Sequence, residues 1–248
     1  LGQYRGTGYG QLCQYRKADG TDQTWAGVDD WRPAGEYRDK AEELEPRAQA
    51  SLYFYGVNPK NNTGNSRWDL YQNWQLEYKW QDGCAKNIKF WYEAGSREWF
   101  EFPIYRMAEF YLNIAEAYNE EGNPTMALRY LNDIRRRGGI PDETQTDRVG
   151  LRRSIHREWA VEFYVENQWY PHARHWKQGA SMVGGAKYKF EFSQAAGVSW
   201  NPRKPEEFAN YTRKPSYVPE YTWHERMSLS PFTLSEVNKG YLVQNPGY

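Results

Sequence analysis

The feature that most constrains this chain is an apolar stripe at helical spacing over residues 103–121. Ile104, Met107, Ala108, Tyr111, Leu112, Ala115 and Tyr118 recur at i, i+3, i+4 and i+7, the pattern of a helix with one buried face. Pro103 suits a first turn, and Gly122 stands where a left-handed residue ends a helix. Asn123-Pro124 then supplies an N-cap and a helix-compatible proline. Ala127, Leu128, Leu131 and Ile134 carry a second stripe down to Arg135-Arg136-Arg137, whose charges complement the helix dipole before Gly138-Gly139 ends it. A third helix is predicted over 148–168, with Leu151, Ile155, Trp159 and Phe163 at i+4 steps on one face, packing on the same layer.

The flanks read differently. Residues 1–102 hold no sustained period of 2 or 3.6, yet they are too aromatic for a disordered segment. Short strands are predicted at 50–55 and 87–92, and a charged helix over 38–50 interrupted at Pro46. After His175-Trp176 the period dissolves. Pro202, Pro205, Pro215 and Pro219, with Pro231 beyond, exclude regular helix and predict a long structured loop. The closing Gln244-Asn245-Pro246-Gly247-Tyr248 reads as a turn that ties the tail to the body. The first helix pair covers 103–137, close to the ~34 residues of a tetratricopeptide unit. The expected fold is therefore mainly α, a tetratricopeptide-like helical layer with long irregular aromatic-rich loops and a few short strands. The chain is expected to be one unit over 1–248. Its parts are a loop-rich candidate ligand-binding region at 1–102, the helices at 103–176 and an irregular C-terminal part at 177–248.

Mean hydropathy is -1.01, but the chain carries 12 Trp, 21 Tyr and 10 Phe, so rings must supply much of the buried apolar area. The balance of 32 Lys and Arg against 32 Asp and Glu offers nothing for the counterion release that drives nucleic-acid binding, and nucleic acid is not an expected partner. No stretch approaches the ~20 apolar residues of a membrane-spanning helix. Cys13 and Cys84 belong to no CxxC or Cys/His cluster, which argues against a metal, and leaves one disulfide or two free thiols open.

Residues 105–117, Tyr-Arg-Met-Ala-Glu-Phe-Tyr-Leu-Asn-Ile-Ala-Glu-Ala, resemble the R-x-A-E-x-Y-L-N-x-A-E-A helix of the RagB/SusD family. Residues 131–141 resemble its L-N-x-I-R-x-R-A-G-L-P helix and turn, residues 155–176 its E-R-x-x-E-L-x-x-E-G-x-R-x-x-D-L-x-R-W segment, and Gln-Asn-Pro-Gly-Tyr its usual terminus. Glu45-Pro46-Arg47 is a looser match. Trp159 stands where that pattern has Arg, and Asn167, Trp169 and His172 where it has Gly, Arg and Asp. The resemblance implies the C-terminal portion of a cell-surface, outer-membrane lipoprotein, lipid-anchored through an N-terminal half not present here. It also implies an oligosaccharide ligand passed to a SusC-like TonB-dependent transporter, and no enzymatic activity.

A sugar presents apolar ring faces rimmed by hydroxyls, so its site needs flat aromatics beside polar hydrogen-bonders. Arg67, Trp68, Asp69, Tyr71, Trp74 and Trp80 have that composition, and Trp25 and Trp31, among Asp22, Asp29 and Asp30, are second candidates. The competing expectation is that these rings pack inside. Asp29-Asp30 lacks the ordered spacing of a calcium loop. His172 and His175 lack a third ligand nearby and are expected to make surface or inter-helix hydrogen bonds. Glu158, Glu162 and Glu166 share a helix face, which suits ion pairs with Arg153 or Arg157 better than the opposed carboxylates of a glycosidase. No catalytic residue, metal or cofactor is assigned. The rival functions are a glycoside hydrolase and a helical-repeat scaffold that binds a peptide.

Overall fold

The structure is a computed structural model and describes residues 8–55, 83–90, 103–199 and 207–248. The helical layer consists of α4 (Met107–Glu120), α5 (Pro124–Arg137) and α6 (Arg148–Glu162). Ala108, Leu112 and Ala115 of α4, Ala127, Leu131 and Ile134 of α5, and Leu151, Ile155 and Trp159 of α6 form one buried cluster, as the stripes predict, but Ile104 and Met107 of the first stripe are exposed, because the helix begins only at Met107 after an extended Arg106. Asn123 caps α5 by accepting from the Met126 N–H at 3.2 Å, and Asp147 caps α6 by accepting from the Gly150 N–H at 2.7 Å.

Two helix boundaries differ from expectation. Helix α4 starts at Met107 rather than near Pro103, because Arg106 is extended, with φ -129° and ψ 147°. Helix α6 ends at Glu162, six residues short of 168, because Val165 and Asn167 adopt left-handed φ values of 56° and 63°. A separate helix α7 (Trp169–His175) follows, then α8 (Gly179–Met182).

Before the helical layer lie α1 (Tyr9–Leu12), α2 (Ala34–Glu42) and α3 (Pro46–Ser51). Pro46 divides α2 from α3 and opens α3 at a position where its missing N–H is not needed. Strands β2 (Leu52–Tyr53) and β3 (Lys86–Asn87) pair antiparallel, Leu52 opposite Asn87, and are shorter than the predicted runs.

The largest departure lies after residue 176. In place of a loop, β4 (Gly185–Gln194) and β5 (Phe208–Tyr221) form an antiparallel pair, and β1 (Arg32–Pro33) adds to β5 as a third strand. Proline within β5 is tolerated because Pro215 pairs with Tyr188 beside a break in register between Ala186 and Tyr188, where the ladder is already interrupted. The signal for β4 was present in the alternation Lys187, Tyr188, Lys189, Phe190, Glu191, Phe192.

This sheet and α2 enclose a second core built on rings. Tyr37 is wholly buried, and Trp25, Phe54, Tyr55, Phe190, Phe192 and Tyr211 have ring centroids between 5.1 and 6.4 Å from it. Its hydroxyl donates to the Cys84 carbonyl at 2.7 Å, while the buried Trp25 Nε1 and Tyr211 hydroxyl in the same stack have no hydrogen-bond partner among the described residues. Cys13 and Cys84 are both free thiols. The tail is tied down as expected. Asn245 donates to the Ser230 carbonyl at 2.6 Å, Gln244 and Phe232 exchange two bonds of 2.9 Å, and Gly247 takes a φ of 89°.

Candidate functional site

Glu158, Glu162 and Glu166 are all buried along α6 and its exit. They do pair with cations, but not with Arg153 or Arg157. Arg157 turns away to Asp22 and to the carbonyls of Cys13 and Gln14, at 2.9 and 2.7 Å. The glutamates face inward, where cations arrive from four other segments. Arg47 at the start of α3 donates to Glu158 and lies 2.7 Å from Glu45. Arg135 of α5 stands 3.6 Å from Glu158, and Arg137 donates to Glu162. Arg106 donates to Glu162 at 2.8 Å and grips both oxygens of Glu166 at 2.7 and 2.8 Å, while Lys89 adds a bond of 2.7 Å to Glu166.

Backbone geometry aims these groups. The extended Arg106 sends its guanidinium sideways off the end of α4, 4.3 Å over the Phe163 ring. The left-handed Val165 and Asn167 turn Glu166 back beneath Lys89 and Arg106. Burial alone would raise the Glu162 pKa, but hydrogen bonds from Arg106 and Arg137 outweigh it and hold the carboxyl at about 2. Burial lowers the Lys89 pKa despite Glu166 beside it. The groups border a cleft of about 320 Å³, lined also by Ser51 and Phe90. Glu162 stays ionised at neutral pH and so cannot act there as a general acid. With its cations matched to carboxylates, the cluster is a strut that ties residues 45–51, 83–90 and 103–107 to the end of α6.

His172 makes neither of the expected hydrogen bonds. Its ring sits between Trp159 and Trp176, at 4.0 and 4.6 Å, and Trp176 stacks in turn on His156 at 3.6 Å. Burial lowers the pKa of both His156 and His172 to about 4. His175 is exposed and faces Glu116 at 3.9 Å. Among the described residues no group of His, Cys, Asp and Glu could hold a metal ion. Asp29 and Asp30 are taken up by Lys214 and Arg32 respectively.

Of the aromatic candidates, Trp25 packs within the ring core, 5.8 Å from Tyr37 and 5.6 Å from Phe190. Trp31 is 44% exposed beside the Asp30–Arg32 pair, whose bonds are 2.9 and 3.1 Å. It stands in sequence between that carboxylate and guanidinium, at the start of the edge strand of the three-stranded sheet. Arg67, Trp68, Asp69, Tyr71, Trp74 and Trp80 lie outside the described residues.

Residues 6–248 match the SusD family. The chain belongs to the SusD family. It is also similar to the crystal structure of a SusD-like protein from Bacteroides fragilis, with a TM-score of 0.72 and 25% identity. That similarity covers 98% of this chain and 47% of the other, so the chain spans about half the length of the structure it matches. No curated protein matches it.

The motifs that resemble the SusD family meet one another in space. Arg106 of the first motif reaches Glu162 and Glu166 of the third, and Glu116 of the first accepts from the Trp176 indole of the third at 2.8 Å. Asn167 stands where the SusD pattern has Gly, in the left-handed conformation that Gly enters freely and Asn next most readily. Trp159 replaces a charged residue of the pattern with a ring buried in the helical core. The cation cluster was half visible in sequence. Glu45-Pro46-Arg47 and the i+4 glutamates each stand out in the sequence, but nothing local joins residues 111 positions apart.

Proposed function

We propose that the chain is the ligand-presenting, C-terminal portion of a cell-surface glycan-capture lipoprotein, which holds an oligosaccharide on aromatic side chains and passes it to a SusC-like TonB-dependent transporter. Membership of the SusD family over residues 6–248 carries this reading. In it, the helices act as a tetratricopeptide-like shelf within one unit, and the rings of the loop-rich amino-terminal part meet the sugar. Trp31 supports the reading as an exposed ring whose two sequence neighbours, Asp30 and Arg32, are polar groups of the kind that bind hydroxyls. Trp68, Tyr71, Trp74 and Trp80, with Arg67 and Asp69, are the remaining members of the platform. Each aromatic contact is worth on the order of 0.5–1.5 kcal/mol, so a few rings reach millimolar-to-micromolar affinity, which suits capture and release.

Isothermal titration against a panel of oligosaccharides tests the proposal. Binding that weakens about tenfold in Trp31→Ala, and further in the Trp68→Ala, Trp74→Ala double variant, is the expected result. A blank panel, or new reducing ends released from any oligosaccharide, would overturn it.

A further inference from the structure

Cys13 and Cys84 are far apart in sequence, yet the fold carries both to the cross-strand pair Phe190–Arg213, where β4 meets β5. Cys13 lies one turn beyond Tyr9, its N–H donating to the Tyr9 carbonyl at 3.0 Å, so the two side chains share a face. Tyr9 packs edge-on against Phe190 with centroids 5.8 Å apart, and the Arg213 guanidinium lies 4.6 Å over the Tyr9 ring. Independently, the Phe190 N–H donates to the Gly83 carbonyl at 3.3 Å, which sets Cys84 against the same strand, wholly buried in the ring core. The thiols register this placement. Burial pushes the Cys84 thiol well up and the neighbouring Cys13 thiol adds to the rise, while the Phe190 N–H and Arg213 draw it down. Burial raises the Cys13 thiol as well, against the Tyr9 hydroxyl that bonds it and the same Arg213.

We propose that Cys13 and Cys84, both reduced in this structure, are joined by a structural disulfide when the chain folds in an oxidising compartment. In the unfolded chain both thiols ionise in the ordinary range and are open to exchange. One thiolate attacks a small disulfide such as oxidised glutathione and releases one thiol, and the second cysteine displaces the other. The two cysteines thus lose two electrons and two protons, one S–S bond forms in the protein, and the oxidant leaves as two thiols. Folding then buries Cys84 and shields the bond from reductants. The bridge ties α1 to the segment from which Lys89 reaches Glu166. It also closes a loop over 13–84 that contains every ligand candidate from Trp25 to Trp80, and a closed loop has less freedom to lose on folding. The pairing stands on the fold alone, and only the oxidising compartment comes from the cell-surface reading.

The test is oxidative refolding. The protein is reduced and unfolded with dithiothreitol in urea, diluted into reduced and oxidised glutathione, and quenched with acid. Its intact mass is expected to fall by two hydrogens from that of the reduced chain, and a proteolytic digest should hold one cross-linked pair of peptides carrying Cys13 and Cys84. Its Tm should exceed that of the protein refolded under reductant by more than about 4 °C. The Cys13→Ser, Cys84→Ser double variant should show one Tm under both conditions. Two glutathione adducts, two thiols that still alkylate after refolding, a disulfide-linked dimer, or equal Tm for the bridged and reduced protein each overturns the proposal. Should the double variant not fold, the mass and peptide map of the unsubstituted protein still decide. Because the readout is covalent, a blank oligosaccharide panel leaves the bridge standing, and a missing bridge leaves the glycan reading standing.

Discussion

Arg106 and Glu162 stand 56 positions apart in sequence and 2.8 Å apart in the fold. The same guanidinium also grips Glu166, so one cation bridges two carboxylates that burial has stripped of water, each of which has one further cation, Arg137 on Glu162 and Lys89 on Glu166. Removing it leaves those charges short of a partner, which is far more damaging than loss of a surface pair. Arg106→Ala is expected to destabilise by roughly 3 kcal/mol in urea denaturation, with Arg106→Lys intermediate because an ammonium cannot serve both carboxylates in a fork. A loss below about 1 kcal/mol would place Glu162 and Glu166 in solvent-like surroundings instead.

Acid should weaken the fold in two stages. His156 and His172 are held at about 4, below their ordinary 6.5, so the unfolded chain takes up protons first as pH falls. Their neutral, stacked state therefore contributes stability above pH 6.5 that declines between 6.5 and 4. Glu162 is held at about 2 against an ordinary 4.5, so its contribution is full above 4.5 and is lost towards 2. In Tm measured against pH, His172→Phe should reduce the slope in the upper window, leaving the part due to His156, and leave the lower window intact. An unchanged upper slope would show that the imidazoles are protonated within the fold.

The helical layer was legible because its pattern is local. Leu112, Leu131 and Ile155 repeat at the helical period, and the caps Asn123 and Asp147 sit beside the helices they start. What sequence alone concealed depends on distant partners. Arg47 looks like any charged helix residue until Glu158 arrives from across the chain, and Trp25 reads as an exposed ring until Phe190 closes over it. The prolines hid β5, because Pro215 argues against a strand unless the break in register opposite it is known. Of the sugar-facing candidates, only Trp31 has both a described position and an open face.

The exit of α6 stores backbone strain that can be released. Val165 has a φ of 56°, a conformation that a β-branched residue enters at a cost of about 1–2 kcal/mol. Val165→Gly removes that cost and adds roughly 0.5–1 kcal/mol of unfolded-state entropy, so the net change in denaturant midpoint is expected to be neutral to stabilising. Asn167→Gly should be equally well tolerated and Asn167→Ala worse than either. Clear destabilisation by both glycine variants would mean that the Val165 and Asn167 side chains, rather than their dihedrals, position Glu166.

Gly179 offers a test of how the sheet's exit is pinned to the helical side. A Cβ built there would stand 1.9 Å from Cε2 of the Trp223 indole and 2.1 Å from its Cζ2, so the ring lies directly on the glycine backbone. Tyr170 flanks the same indole at 5.8 Å. No small adjustment accommodates a methyl group at that distance, so Gly179→Ala must expel Trp223 and expose much of its ring. Exposing a large side chain costs about 2 kcal/mol, and the loss should be local. Hydrogen exchange at 222–228 should accelerate while α4 to α6 keep their protection. Gly10→Ala, where nothing lies within 4 Å of the added carbon, is the matched control and should leave the same amides unchanged. Equal exchange in the two variants would mean that Trp223 does not rest on Gly179.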